Sequence, residues 1–222
     1  MSRQRCLLIP VMLALGGCSG LLRSTAPALQ LYVLEQPVAV TVTADAGSKS
    51  SAVSAPKPAL PTLRIDRPQA APGLDTDRIA LLRPGNRLDY YAGSRWSAPL
   101  PELVSDMQRM VFRDDGYWSA VADDRSGFNT NYLLQTSIDR FTAEYAGESA
   151  PPLIRVDLHG VLIRRADGSL VGSFAVSASW MAKENRMASV VEAFSQATQR
   201  AVLDEQKKVD QLLTFAKPPA VP

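Results

Sequence analysis

Apolar and polar residues alternate with a period of two over three long stretches in the second half of the chain, and that alternation predicts strands. Within Asn131 to Tyr145, the residues Tyr132, Leu134, Thr136 and Ile138 fall on one side and Gln135, Ser137 and Asp139 on the other. Within Leu153 to Arg165, Ile154, Val156, Leu158 and Leu162 oppose Arg155, Asp157 and His159, and Leu170 to Met181 brings Phe174, Val176, Ala178 and Trp180 to one side. A period of two sets one face against a core and leaves the other to water. The link Arg165-Ala166-Asp167-Gly168-Ser169 contains Asp-Gly, a pair that tolerates positive φ and favours a tight hairpin, so the three strands read as an antiparallel meander.

Twice the period becomes helical. Leu103, Val104, Met107, Met110 and Val111 predict an amphipathic helix from Leu100 to about Arg113. Pro99 and Pro101 stand at its entry, where a missing donor does little harm, and Asp114-Asp115-Gly116 ends it. Val190, Val191, Phe194, Ala197, Ala201, Val202, Val209, Leu212 and Leu213 mark a long C-terminal helix. Shorter strands are expected at Gln30 to Glu35, Thr62 to Asp66, Arg78 to Leu82, Arg87 to Ala92 and Tyr117 to Ala122, punctuated by Pro68, Pro72 and Gly73. The expected fold class is α+β: a mainly antiparallel sheet with two helices packed on one face. Gln135, Ser137, Arg155, Asp157, Ser177 and Ser179 then form a wet opposite face open to a partner, and an unpaired sheet edge would permit a homo-oligomer.

The N-terminus follows a different logic. Arg3 and Arg5 precede an apolar run, Leu7 to Leu15, and then Gly16, Gly17 and Cys18, the order of a secretory signal. The run is too short for a membrane span, which needs about 20 residues to cross about 30 Å of hydrocarbon. Leu15-Gly16-Gly17-Cys18 looks like a bacterial lipobox, with small residues before a cysteine whose sulfur can carry a diacylglycerol and whose freed amine can take a further acyl chain such as palmitate. Multiple chains anchor far more firmly than one. The expected organisation is a signal at 1–17, a lipidated tether at 18–29, one domain at 30–215 and a disordered tail at 216–222. The domain is interrupted at 43–61 by an Ala/Ser/Pro/Lys stretch too poor in large apolar residues to offset its ordering entropy.

Charge and cysteine counts narrow the picture. The chain has 24 Lys+Arg against 22 Asp+Glu, and cleavage before Cys18 would remove Arg3 and Arg5 and leave the two equal. That balance gives no basis for nucleic-acid binding. Cys6 lies in the signal, so mature Cys18 has no partner for a disulfide. Ser19 stands where an aspartate would hold an enteric lipoprotein at the inner membrane, which favours the periplasmic face of the outer membrane.

The catalytic inventory is thin. His159 is the one histidine, on the polar side of its strand, and no Gly-x-Ser-x-Gly elbow or phosphate-binding glycine loop occurs. Asp114-Asp115 and Asp123-Asp124 flank turns, where carboxylates are usually solvated. No enzyme activity, metal or cofactor is expected. An envelope hydrolase would have to depend on His159.

The run Leu88-Asp89-Tyr90-Tyr91-Ala92-Gly93-Ser94-Arg95-Trp96-Ser97-Ala98-Pro99-Leu100 is the most specific in the chain. It reads as a strand ending in aromatics, a short turn and a Trp placed either to cap the next helix or as a plain core residue. Taken with Leu31-Tyr32-Val33-Leu34 and Leu63-Arg64-Ile65-Asp66-Arg67-Pro68-Gln69, it resembles the ABC-type transport auxiliary lipoprotein family, whose Tyr-x-x-x-x-Trp-x-x-Pro-like run is matched by Tyr91, Arg95, Trp96 and Pro99. The resemblance implies a non-catalytic outer-membrane lipoprotein, partner to a mammalian-cell-entry-type substrate-binding protein of an ABC transporter that moves phospholipids or other hydrophobic molecules. Tyr91, Arg95 and Trp96 become the candidate partner-binding residues and Cys18 the lipidation site. The alternative is a structural lipoprotein that helps assemble another outer-membrane complex, such as a secretin or a polysaccharide exporter.

Overall fold

The computed structural model describes residues 28–35, 60–147 and 149–216. The signal and Cys18, nearly all of the 43–61 insertion and the tail beyond Ala216 lie outside the described residues. Along the described chain run β1 (Gln30–Tyr32), β2 (Thr62–Ile65), β3 (Gln69–Ala70), β4 (Arg78–Arg83), β5 (Arg87–Trp96), α1 (Leu100–Asp114), β6 (Ala120–Ala122), β7 (Tyr132–Glu144), β8 (Leu153–Arg164), β9 (Leu170–Met181) and α2 (Met187–Ala216). The fold is α+β, one open sheet with two helices. The strand expected at Arg87 to Ala92 continues to Trp96, and that expected from Tyr117 shrinks to its last three residues.

Strand β7 is the spine of the sheet. One of its edges pairs antiparallel with β8, which pairs antiparallel with β9. Its other edge takes β2, β3 and β4 in succession, all parallel: Leu63–Ile65 beside Tyr132–Leu134, Gln69–Ala70 beside Ser137–Ile138, and Leu81–Leu82 beside Ala143–Glu144. Pro68 and the turn around Gly73 break this run into pieces, because proline has no N–H to give the ladder. Beyond β4 lie β5, antiparallel to it, and then β1, parallel to β5; β6 flanks β2. The long ladders are antiparallel, as the alternation predicts, and the parallel pairings span only two or three residues each.

The expected alternation holds, with one shift. Leu134, Thr136 and Ile138 are buried, and so are Ile154, Val156, Leu158 and Leu162 on β8 and Phe174, Val176 and Ala178 on β9. On β7 the pairing steps from Ile138↔Leu158 to Arg140↔Asp157, which leaves Asp139 as the extra residue of a β-bulge. The bulge moves the inward face from even to odd positions, so Phe141 and Ala143 point to the core beyond it. Trp180, expected inward, is 45% exposed at the end of the edge strand β9.

Both helices bury their apolar stripes against the inner face. α1 supplies Val104, Met107, Val111 and Phe112, and α2 supplies Val190, Phe194, Ala197, Ala201, Val202 and Val209. Pro99 precedes α1, and a proline sits in its first turn, with Glu102 near its positive end and Arg113 near its negative end.

Candidate functional site

The three residues singled out on β5 lie on one strand but have three separate sets of partners. Between Arg78↔Arg95 and Ala80↔Tyr90, β5 advances five residues while β4 advances two, and Gly93 within that excursion has φ +68°. A positive φ suits a residue without Cβ, and it lets the strand re-aim its side chains around the bend.

Trp96 lies in the core. It is 1% exposed and meets the rings of Phe194 and Phe141 edge-on, with centroids 5.3 and 6.1 Å away, while those two phenylalanines stack at 4.9 Å. The indole therefore ties β5 to β7 and α2 and does not cap α1. Its backbone is fixed as well: the Trp96 N–H donates to the Asp77 carbonyl at 2.7 Å, and the Ser97 N–H donates to the Tyr32 carbonyl at 2.7 Å. With its side chain buried, the indole offers no surface to a partner.

Arg95 is on the opposite side of the strand, half-exposed, with Nη1 2.6 Å from Asp77 Oδ1. Next to it in the register, Arg78 lies over the ring of Tyr90 at 3.6 Å. Tyr91 turns toward the far end of β7. Its hydroxyl is 2.8 Å from that of Tyr145, which donates to Asn185 Oδ1 at 2.8 Å, so Tyr91 is the donor to Tyr145. Burial, reinforced by the Tyr145 hydroxyl, holds the Tyr91 phenol well above its usual range. Tyr91 is a structural donor here and remains protonated at any physiological pH. A cavity of about 260 Å³ beside Tyr145 is lined by Arg83, Arg87 and Gly147.

The outer face of β7, β8 and β9 carries a charged lattice. Glu144 takes Arg155 Nε at 2.8 Å and Arg140 Nη1 at 3.1 Å, and Arg140 Nε reaches Asp157 at 3.4 Å. Gln135, His159, Ser177 and Ser179 are exposed around it, and among the described residues neither helix covers this face. His159 lines a shallow cavity with Asp66, Arg67, Gln69 and Gln135. Asp123 is held by the Ser126 hydroxyl at 2.6 Å, which lowers its pKa. Among the described residues no group of three or more His, Cys, Asp or Glu is arranged to hold a metal ion.

A buried polar knot was not anticipated. Gln108 Nε2 on α1 donates to Glu205 Oε2 on α2 at 2.8 Å and to Thr136 Oγ1 on β7 at 2.9 Å, and Thr136 lies 3.0 Å from Glu205 Oε1. Glu205 is 0% exposed, and burial pushes its carboxyl up to about 7 against the opposing effect of the Gln108 and Thr136 hydrogen bonds. Its position did carry a signal. Glu205 falls on the stripe set by Ala201, Val202 and Val209, where a charged residue interrupts an otherwise apolar face.

Comparison with known proteins places this geometry. A family model described as ABC-type transport auxiliary lipoprotein component matches residues 41–204. A solved structure of a protein from Xanthomonas campestris is 26% identical, covers 70% of this chain and 94% of its own, and superposes with a TM-score of 0.60. A second solved structure, of an uncharacterized protein, shares the fold at 9% identity and a TM-score of 0.59, covering 82% of this chain and 99% of its own. The comparison with curated proteins returns no match.

Proposed function

Because the chain belongs to the ABC-type transport auxiliary lipoprotein component family, we propose that it is the non-catalytic, outer-membrane lipoprotein subunit of a transporter that moves phospholipids or other hydrophobic molecules through the cell envelope. Acylated Cys18 holds it on the periplasmic side, and its partner is a mammalian-cell-entry-type substrate-binding protein. The transporter's ATPase supplies the energy, and this subunit docks or steadies the conduit.

One observation carries the reading beyond the family: among the described residues the sheet has helices on one face only. An antiparallel sheet can leave its second face to water, but here that face is a patterned array of arginines, carboxylates and small polar residues on three long strands. Complementary charge on such a surface selects a partner and sets its register more than it adds raw affinity. Half-exposed Arg95 and the arginines beside Tyr145 extend the contact surface toward β5.

Affinity purification from detergent-solubilised membranes tests it. The full-length lipoprotein should recover a mammalian-cell-entry-type protein together with a transporter permease or ATPase. Arg155→Gln should reduce that recovery several-fold while shifting the thermal unfolding temperature by no more than about 4 °C, since exposed ion pairs contribute about 0–1 kcal/mol and about 1 kcal/mol moves a domain of this size by about 2–4 °C. Reproducible recovery of no such protein contradicts the proposal.

A further inference from the structure

Strand β1 is the first described element after the chain leaves Cys18, and its two faces differ. Tyr32 and Leu34 turn inward, and Leu34 is 6% exposed, whereas Leu29, Leu31 and Val33 turn outward at 55%, 65% and 59% exposure. The spacing is i, i+2, i+4, so three large aliphatic side chains share one side of an extended segment. Among the described residues β1 pairs with β5 alone, and nothing pairs with its other edge. The register continues the row sideways: Leu31 faces Arg95, and Arg95 faces Arg78. Among the described residues Arg78 has no carboxylate partner.

We propose that this outward face of β1 seats on the lipid surface that holds Cys18, with Leu29, Leu31 and Val33 entering the headgroup boundary. The proposal rests on the acylation of Cys18 put forward above. Two further observations select lipid over another protein. The first is where the chain outside the structure begins and ends. Residues 19–28 join the anchored cysteine to Leu29, a reach of about 33 Å at roughly 3.3 Å per residue. Every position the domain can adopt keeps β1 within that distance of the bilayer, and tethering on this scale raises the effective local concentration of a weak contact to about the millimolar range. The second is charge. From Cys18 to Leu34 the sequence has no Asp or Glu, one arginine (Arg23) and further apolar residues at Leu21 and Leu22; exposed Glu35 closes the row two positions beyond Val33. Arg95 is paired with Asp77, so Arg23 and Arg78 are the cations beside these apolar side chains, and that combination matches an interface of acyl chains beneath anionic headgroups. Exposed apolar rows of this kind mark membrane or partner contacts more often than idle surface.

The mature chain offers a direct test, because its one cysteine sulfur is acylated and an introduced thiol is then uniquely reactive. Full-length lipidated Leu31→Cys and Val33→Cys carry a nitrobenzoxadiazole fluorophore and are reconstituted into phosphatidylethanolamine/phosphatidylglycerol vesicles doped with phosphatidylcholine bearing a nitroxide on its acyl chain. Leu170→Cys, at the opposite sheet edge and 64% exposed, is the control. Both β1 labels should lose more than half their emission and the control should keep its own. Unquenched β1 labels on protein whose Cys18 is acylated by mass overturn this proposal alone, whether they report water or burial against a second copy. Equal quenching at all three positions overturns it too, by removing the orientation. An unacylated Cys18 overturns the anchoring on which it rests.

Discussion

Among the described residues Glu205 is the one charged side chain with no exposed surface, and its setting makes a stability prediction. Burial raises its folded-state pKa to about 7 from an ordinary 4.5. The native state therefore holds a proton that the unfolded chain releases between those values, so the carboxylic acid's favourable contribution is complete below about pH 4.5 and is lost as pH rises through about 7. Gln108 Oε1 is buried without a hydrogen-bond partner, so the knot tolerates little extra charge. Glu205→Gln keeps the shape and removes the titration. It should stabilise the protein by on the order of 2 kcal/mol at pH 8 and by almost nothing at pH 4.5, read from thermal unfolding followed by circular dichroism. A variant no more stable than the parent at pH 8 would contradict a buried carboxyl whose pKa is raised to about 7. The partner-binding candidates show how far single residues were legible. The aromatic run marked Tyr91, Arg95 and Trp96 as special. It carried no sign that they diverge, because the divergence comes from the irregular β4–β5 pairing around Gly93, and pairing is a non-local property.

At the scale of elements, α1, α2 and the meander β7–β9 were readable because each is long enough to display its own period. The alternation also foretold which face is wet. What sequence could not supply was the seating of β2, β3 and β4 along one edge of β7: strands of two to six residues carry too little pattern to announce a parallel partner some sixty to seventy residues away. The bulge at Asp139 was likewise hidden, since an added residue looks like the end of an alternation. One contact within the meander has a measurable consequence. Gly160 on β8 lies opposite Phe174 on β9, and a Cβ placed on it would come within 2.1 Å of the Phe174 ring. Phe174 is itself buried, so its ring has little room to retreat. Gly160→Ala should destabilise the domain by about 1–3 kcal/mol through overpacking, and Gly160→Ala with Phe174→Leu should recover part of that loss in urea unfolding. If the single variant has the parent's urea midpoint, the close packing of these strands is not as described.

Across the whole molecule the two faces of the sheet differ in what covers them. The inner face, sealed by α1 and α2 around Trp96, Phe141 and Phe194, makes the domain stable. The outer face, with its Arg140–Glu144–Arg155 lattice, is covered by neither helix among the described residues, and in the function we propose it is the docking surface of a membrane-anchored subunit. Membership of the ABC-type transport auxiliary lipoprotein component family agrees with that proposal. The most direct test is site-specific photo-crosslinking in living cells, with a photoreactive residue at Ser177, exposed midway along β9 on the outer face, and, as the control, at Asp204 on α2. Position 177 should crosslink to a mammalian-cell-entry-type substrate-binding protein, and position 204 should not. A protein that is expressed, lipidated and membrane-bound, yet gives no such crosslink from position 177 or gives the same one from both positions, would contradict it.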